Sequence, residues 1–81
     1  MKTEELGIDK EVGFGLRDVN SPVLWMEIKL YAGGFLDVMS APEALKFIVK
    51  NDVTNINNLK GGAVVVESEN RSYKVRSVFK P

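Results

Sequence analysis

The stretch VLWMEIKLYAGGFLDVM, residues 23–39, decides the fold predicted for this chain. Apolar side chains alternate with a mixed set of side chains over residues 23–31, and this period of two predicts a β-strand. The apolar face of that strand consists of Leu24, Met26, Ile28 and Leu30. The segment Ala32-Gly33-Gly34 supplies the tight connection that a hairpin needs, and residues 35–39 form the next strand. The sequence therefore predicts an antiparallel hairpin.

A helix is predicted directly after this hairpin. Ser40 can cap its N-terminus, and Glu43 lies three residues later, where its carboxylate can bond back to the N–H of Ser40. Pro42 has no backbone N–H, but it is tolerated in the first turn because an N–H there would have no partner within the helix. The helix runs to about Lys50, and we expect it to pack on the apolar face of residues 23–31. Its predicted inward stripe is Ala44, Leu45, Ile48 and Val49, with Phe47 at the flank.

The remaining segments complete a β-β-β-α-β-β order in a single domain over residues 1–81. Residues 1–10 look like a loosely attached lead-in, and 11–17 alternate as a strand. The connection after the helix is expected to pack on the core through the side chains of Val53, Ile56 and Leu59. Residues 63–67 form the fourth strand, 68–71 a hairpin turn and 72–80 the last strand. The predicted class is α+β: an antiparallel sheet, flat or strongly curled, with one helix on one face.

The composition narrows the possible chemistry. The 81 residues include no histidine and no cysteine, which removes the commonest general base and every thiolate or imidazole metal site. We expect no metal and no cofactor, and we expect that the chain is not an enzyme. Carboxylates could still carry acid–base chemistry. The candidates are Asp18, Glu27 and Asp37, of which Glu27 and Asp37 lie on neighbouring strands of the hairpin.

Charge and hydropathy favour a cytoplasmic protein that does not enter membranes. The net charge is zero, but residues 1–27 carry −3 and residues 55–81 carry +3. The longest apolar run, residues 63–66, is far shorter than a membrane span, and residues 1–6 lack the apolar core of a secretory signal. A neutral chain also argues against nonspecific binding to polyanions.

The mixed face of the hairpin is the predicted partner-binding surface. Its residues are Trp25, Glu27, Lys29, Tyr31 and Phe35. Large aromatic side chains among charges are typical of protein interfaces, so the leading hypothesis is a binding or assembly domain for a protein partner, including a second copy. The alternative is that these aromatic residues cap a minor core inside a curled sheet.

A basic strand at the end of the chain gives the second hypothesis, a small nucleic-acid-binding module. Its possible contacts are Arg71, Lys74, Arg76 and Lys80. Such a stripe can follow a phosphate backbone. It can also protect a sheet edge from unwanted pairing, so both interpretations stay open.

The second half of the chain also resembles many small phage and prophage proteins of unknown function. The resemblance is carried by the segment NLKGGAVVVE, residues 58–67, which leads through a Leu-x-Gly step into a valine-rich strand. Gly62 stands where those proteins often have lysine. The resemblance implies a bacterial or mobile-element origin and carries no functional residue across.

Overall fold

Five antiparallel strands, one α-helix and one 3₁₀ helix form the fold in the computed structural model, which describes residues 2–16 and 21–79. The elements are β1 (Thr3–Gly15), β2 (Val23–Leu30), β3 (Gly33–Ser40), α1 (Ala41–Lys50), the 3₁₀ helix Ile56–Leu59, β4 (Ala63–Glu69) and β5 (Ser72–Val78). The strands lie in the order β3-β2-β1-β4-β5. This arrangement confirms the predicted α+β class and the predicted order of elements.

The sheet curls so strongly that its two edge strands, β3 and β5, meet at a seam. The Val75 N–H donates to Oδ2 of Asp37 over 2.8 Å, and the rings of Phe35 and Tyr73 stack with their centroids 5.5 Å apart. The result is a half-barrel, so the strongly curled alternative is correct. Because one fold hosts many unrelated functions, this architecture alone assigns none.

The first strand corrects the expectation that residues 1–10 are a loosely attached lead-in. Residues 3–15 form the central strand of the sheet, which pairs with β4 through residues 3–8 and with β2 through residues 8–15. A β-bulge at Lys10 explains the error. An extra residue reverses which side chains face the core, so Leu6 and Ile8 are exposed before it while Val12 packs on the core after it.

The core lies between the concave face of the sheet and α1. The predicted apolar face of β2 is buried in one cluster with Ala44 and Phe47 of the helix, which confirms that this face meets the helix. Leu59 of the 3₁₀ helix is also buried there, and Val53 and Ile56 pack against the same cluster, as predicted. The segment between α1 and β4 therefore closes one side of the core.

The helix begins where the sequence predicts, although one detail of its cap differs. Ser40 is the N-cap, and its Oγ accepts a hydrogen bond from the Glu43 N–H over 3.4 Å. The Glu43 carboxylate accepts from the Ser40 hydroxyl over 3.0 Å rather than from the Ser40 backbone amide. In the described part of the chain, no helix combines the length and the apolarity needed to cross a membrane.

The inward stripe of the helix was predicted incorrectly at two positions. Leu45 and Val49 are exposed, whereas Phe47 is buried. The inward positions follow the spacing i, i+3, i+4, i+7 from Ala44, and the last of them is the polar Asn51. Asn51 Nδ2 donates to the Phe47 carbonyl over 2.9 Å, and its Oδ1 accepts from the Val78 N–H over 3.0 Å. A polar residue in the stripe therefore serves as the helix cap and holds β5.

Candidate protein-binding surface

The convex face of β2 presents three of the predicted partner-binding side chains together. Trp25, Glu27 and Lys29 alternate with the buried residues of the strand and lie on the side away from α1. The Trp25 ring lies over Gly13 of β1, where a Cβ atom would overlap the indole. The bare backbone of Gly13 therefore gives the indole a flat seat on the sheet.

Neighbouring strands add three exposed apolar side chains that the sequence analysis did not assign to this surface. Val38 lies opposite Trp25, Leu36 opposite Glu27 and Ile8 opposite Lys29. Directly opposed residues on paired strands project on the same side of the sheet. The alternation of Leu36 and Val38 with Asp37 could have indicated that these two side chains share one face of β3. Ile8 was missed because residues 1–10 were predicted to be a lead-in. The outer patch is defined by Ile8, Trp25, Glu27, Lys29, Leu36 and Val38.

Charges of both signs lie among the apolar side chains of the outer patch. Glu27 and Lys29 form no ion pair with another described residue. Glu11, opposite Glu27, pairs with Lys60 over 3.1 Å. A shallow depression of about 540 Å³ runs beside the patch, and its lining includes Lys10 and both charged residues of β2. The surface therefore combines exposed apolar area with unpaired charges, as protein interfaces do.

The two remaining predicted contacts lie elsewhere. Tyr31 is fully exposed at the turn between β2 and β3, at the end of the patch rather than within it. The interpretation that placed Phe35 on the mixed face is wrong. Phe35 lies opposite Ile28, so it projects to the concave side, where it packs on the core and stacks on Tyr73. For Phe35, the alternative prediction of an aromatic residue that packs inside a curled sheet is therefore correct.

The structure also separates the proposed carboxylate pair. Glu27 projects from the convex face, whereas Asp37 lies opposite Met26 and is buried on the concave side. Burial raises the pKa of Asp37, although the Val75 amide that it accepts from and the Lys74 ammonium favour its charged form. Asp18 lies outside the described residues. The pair Glu27 and Asp37 cannot act together on one substrate from opposite faces of a sheet.

A buried carboxylate that the sequence analysis did not single out lies at the bulge of β1. Asp9 is fully buried, and neither of its oxygens accepts a hydrogen bond from a described residue. Desolvation raises the pKa of Asp9 to about 7. No group of three or more acidic residues within the described ranges is arranged to hold a metal ion.

The basic residues of β5 are largely engaged with carboxylates. Arg76 contacts Glu67 over 2.6 Å and Glu4 over 3.5 Å, and Lys74 lies 3.8 Å from Glu43. The hydrogen bond from Arg76 lowers the pKa of Glu67. Arg71 occupies the turn between β4 and β5 with a φ of +70°. Lys80 lies outside the described residues.

Comparisons with known proteins do not add a relative. No family model, no curated protein and no solved structure matches this chain. The resemblance to small phage proteins and the cytoplasmic location stay predictions.

Proposed function

We propose that this chain is a non-enzymatic binding domain that docks a protein through the outer patch. The observation that carries the proposal is the apolar cluster in which the Trp25 ring lies on Gly13 of β1, with Val38 directly opposite it on β3 and Leu36 two residues along that strand. Tryptophan seated between apolar neighbours is the residue type most enriched among the side chains that dominate binding energy. A partner that covers the patch also removes its exposed apolar area from water.

The seam between β3 and β5 favours docking through this face over docking through a sheet edge. Added strands bind to free backbone groups along an edge. Here the side chains of Asp37 and Asn51 accept the N–H groups of Val75 and Val78 from the edge strand β5. These amides are therefore not free to pair with an incoming strand, while the convex face is open.

A second copy of the chain is the partner that the charges fit best. Glu27 and Lys29 are two residues apart on one face of β2, with opposite charges. When two copies meet around a twofold axis with their β2 strands antiparallel, each Glu27 can lie opposite Lys29 of the second copy. The same contact then forms twice, and it fixes the register of the apolar residues between them.

The nucleic-acid alternative has less support. Two of its predicted contacts, Lys74 and Arg76, already lie beside carboxylates, which oppose the approach of a phosphate backbone. The outer patch carries one acid and one base, so it has no net positive charge to attract a polyanion.

Sedimentation equilibrium over a wide range of protein concentration tests the proposal. We expect a dimer, and we expect Trp25→Ala to weaken it by about 2 kcal/mol, close to thirtyfold in the dissociation constant. Leu45→Ala, which removes an exposed apolar side chain on α1, is the matched control and should leave the dimer unchanged. Glu27→Lys or Lys29→Glu alone should weaken the dimer, and the two together should restore it.

Three outcomes would count against this assignment. A wild-type chain that stays monomeric at millimolar concentration refutes self-association, and a different protein partner must then cover the patch. A Trp25→Ala variant that loses its circular dichroism spectrum would show that Trp25 belongs to the core. Equal weakening by Trp25→Ala and Leu45→Ala would place the interface elsewhere.

A further inference from the structure

A groove between α1 and β5 forms a second surface, separate from the outer patch. It encloses about 380 Å³. Its floor consists of the buried apolar side chains Met39, Phe47 and Val75. Its walls carry Glu43, Lys46 and Lys50 on the helix and Glu67, Lys74 and Arg76 on the strands. This α1–β5 groove shares no residue with the outer patch.

The charges of the α1–β5 groove are unbalanced. Its four cations exceed its two carboxylates by two. Both carboxylates form ion pairs with cations of β5: Glu43 lies 3.8 Å from Lys74, and Glu67 lies 2.6 Å from Arg76. Lys46 and Lys50 make no ion pair with any described residue. The surplus positive charge therefore lies on the helix wall, above an apolar floor.

The spacing of the two free lysines selects among anionic ligands. Residues four apart on a helix have Cβ atoms about 5–6 Å apart on the same side. Alternate residues of an extended peptide project to the same side and lie about 6.6 Å apart. An extended segment with acidic residues at every second position can therefore place one carboxylate on Lys46 and the next on Lys50.

The floor of the groove favours a peptide over a nucleic acid. Phe47, the aromatic residue of the floor, is 6% exposed, so it offers no ring face on which a base could stack. We propose that the α1–β5 groove binds an extended acidic segment of another protein, with alternating carboxylates on Lys46 and Lys50.

Fluorescence anisotropy with two labelled synthetic peptides tests this site. One peptide alternates glutamate with valine and serine, and the other has the same composition with all glutamates contiguous. We expect the alternating peptide to bind more tightly and its affinity to fall as salt rises from about 50 to about 500 mM. Lys46→Glu together with Lys50→Glu should weaken binding about tenfold or more, since two surface charge pairs become repulsive.

The matched control carries the same change of charge outside the α1–β5 groove. Lys10→Glu together with Arg71→Glu changes two exposed cations that do not line it, and binding should be unchanged. Equal loss of binding in both double variants would show a response to overall charge and would overturn the proposal. So would equal affinity for the two peptides, or tighter binding of a single-stranded oligonucleotide than of the alternating peptide. The dimer measured for the outer patch should persist in the Lys46→Glu/Lys50→Glu variant, so the two proposals can fail independently.

Discussion

The buried carboxylate of Asp9 allows a sharp test of the structure. The residue is fixed in the interior by its backbone: its N–H donates to the Gly62 carbonyl over 3.0 Å, and its carbonyl accepts from the Gly61 N–H over 2.6 Å. Its side chain is fully buried, and no described donor makes a hydrogen bond to either oxygen. Burial of an ionised carboxylate without a partner is costly, so the folded state favours the protonated acid.

The size and sign of the effect follow from the pKa of Asp9. Desolvation raises this pKa from 3.8 to about 7, with a smaller contribution from the Glu11 carboxylate, while the Glu11 amide favours the charged form without making a hydrogen bond of good geometry. The unfolded chain therefore loses this proton at lower pH than the folded chain. The free energy of unfolding falls as pH rises between these two values, and each pH unit is worth about 1.4 kcal/mol. The full loss is on the order of 4 kcal/mol above pH 7.

Asp9→Asn removes the ionisation and keeps the shape. The amide still lacks partners, which costs about 1–3 kcal/mol at every pH. We therefore expect the variant to be no more stable than the wild type at about pH 4, and its relative stability to rise by about 4 kcal/mol by about pH 8. Urea denaturation followed by circular dichroism, at several pH values across this range, measures the difference.

The comparison between variant and wild type isolates Asp9 from the other buried acid. Asp37 titrates in both chains, so its contribution cancels. Asp52→Asn, which removes an exposed carboxylate after α1, controls for the loss of one negative charge. If the stability difference between Asp9→Asn and wild type is the same at low and high pH, the pKa of Asp9 is the same in the folded and unfolded chains, which would refute the burial of an unpartnered carboxyl at this position.

Three substitutions test the packing, each by urea denaturation. Gly7→Ala should destabilise by about 1–3 kcal/mol, because the added Cβ would lie 2.7 Å from Ile28 Cγ2; an unchanged stability would contradict the inward placement of Gly7. Asn51→Ala should cost about 1–3 kcal/mol, because it leaves the Val78 N–H without its acceptor. Phe47→Ala should lower the free energy of unfolding by about 3–5 kcal/mol, because it leaves a cavity in the core. A loss below about 1 kcal/mol would instead support the sequence prediction that Phe47 lies at the flank of the inward stripe.

The central hairpin and the helix start could be predicted because their local signals agree with the tertiary structure. In β2 the alternation of side chains from Leu24 onward matches one buried and one open face. The tight turn consists of Tyr31 and Ala32, whereas Gly33 and Gly34, which were predicted to be part of the connection, are the first residues of β3. Gly34 also has a packing role, since a Cβ there would lie 2.6 Å from the Ile28 carbonyl oxygen. Ser40 and Pro42 specify the helix start whatever the rest of the chain does.

Residues 11–17 were predicted as a strand, and 11–15 belong to β1, but residues 3–10 could not be assigned to it because their pattern contradicts their position. Before the bulge at Lys10, apolar Leu6 and Ile8 face outward, while Gly7 and Asp9 face inward. Glycine is required at position 7 because Ile28 and its neighbours already fill the space. Polarity alone therefore indicated a lead-in, and the three-dimensional filling of the core decided otherwise. Ile8 was missed from the outer patch for the same reason, since it belongs to this strand.

Asp37 shows why the type of a residue does not determine its role at a sheet edge. A charged residue on a strand normally faces solvent, which is why Asp37 was grouped with Glu27. In the fold it is the acceptor for a backbone amide of β5 and joins the two ends of the curled sheet. Edge strands expose backbone groups that can pair with other chains. Here the Asp37 carboxylate accepts one of these groups, the Val75 N–H. Asp37 and Asn51 accept the Val75 and Val78 amides of β5, so these two groups are not free to pair with an added strand. This supports the proposals that place a protein partner on side-chain surfaces, the outer patch on one side and the α1–β5 groove on the other.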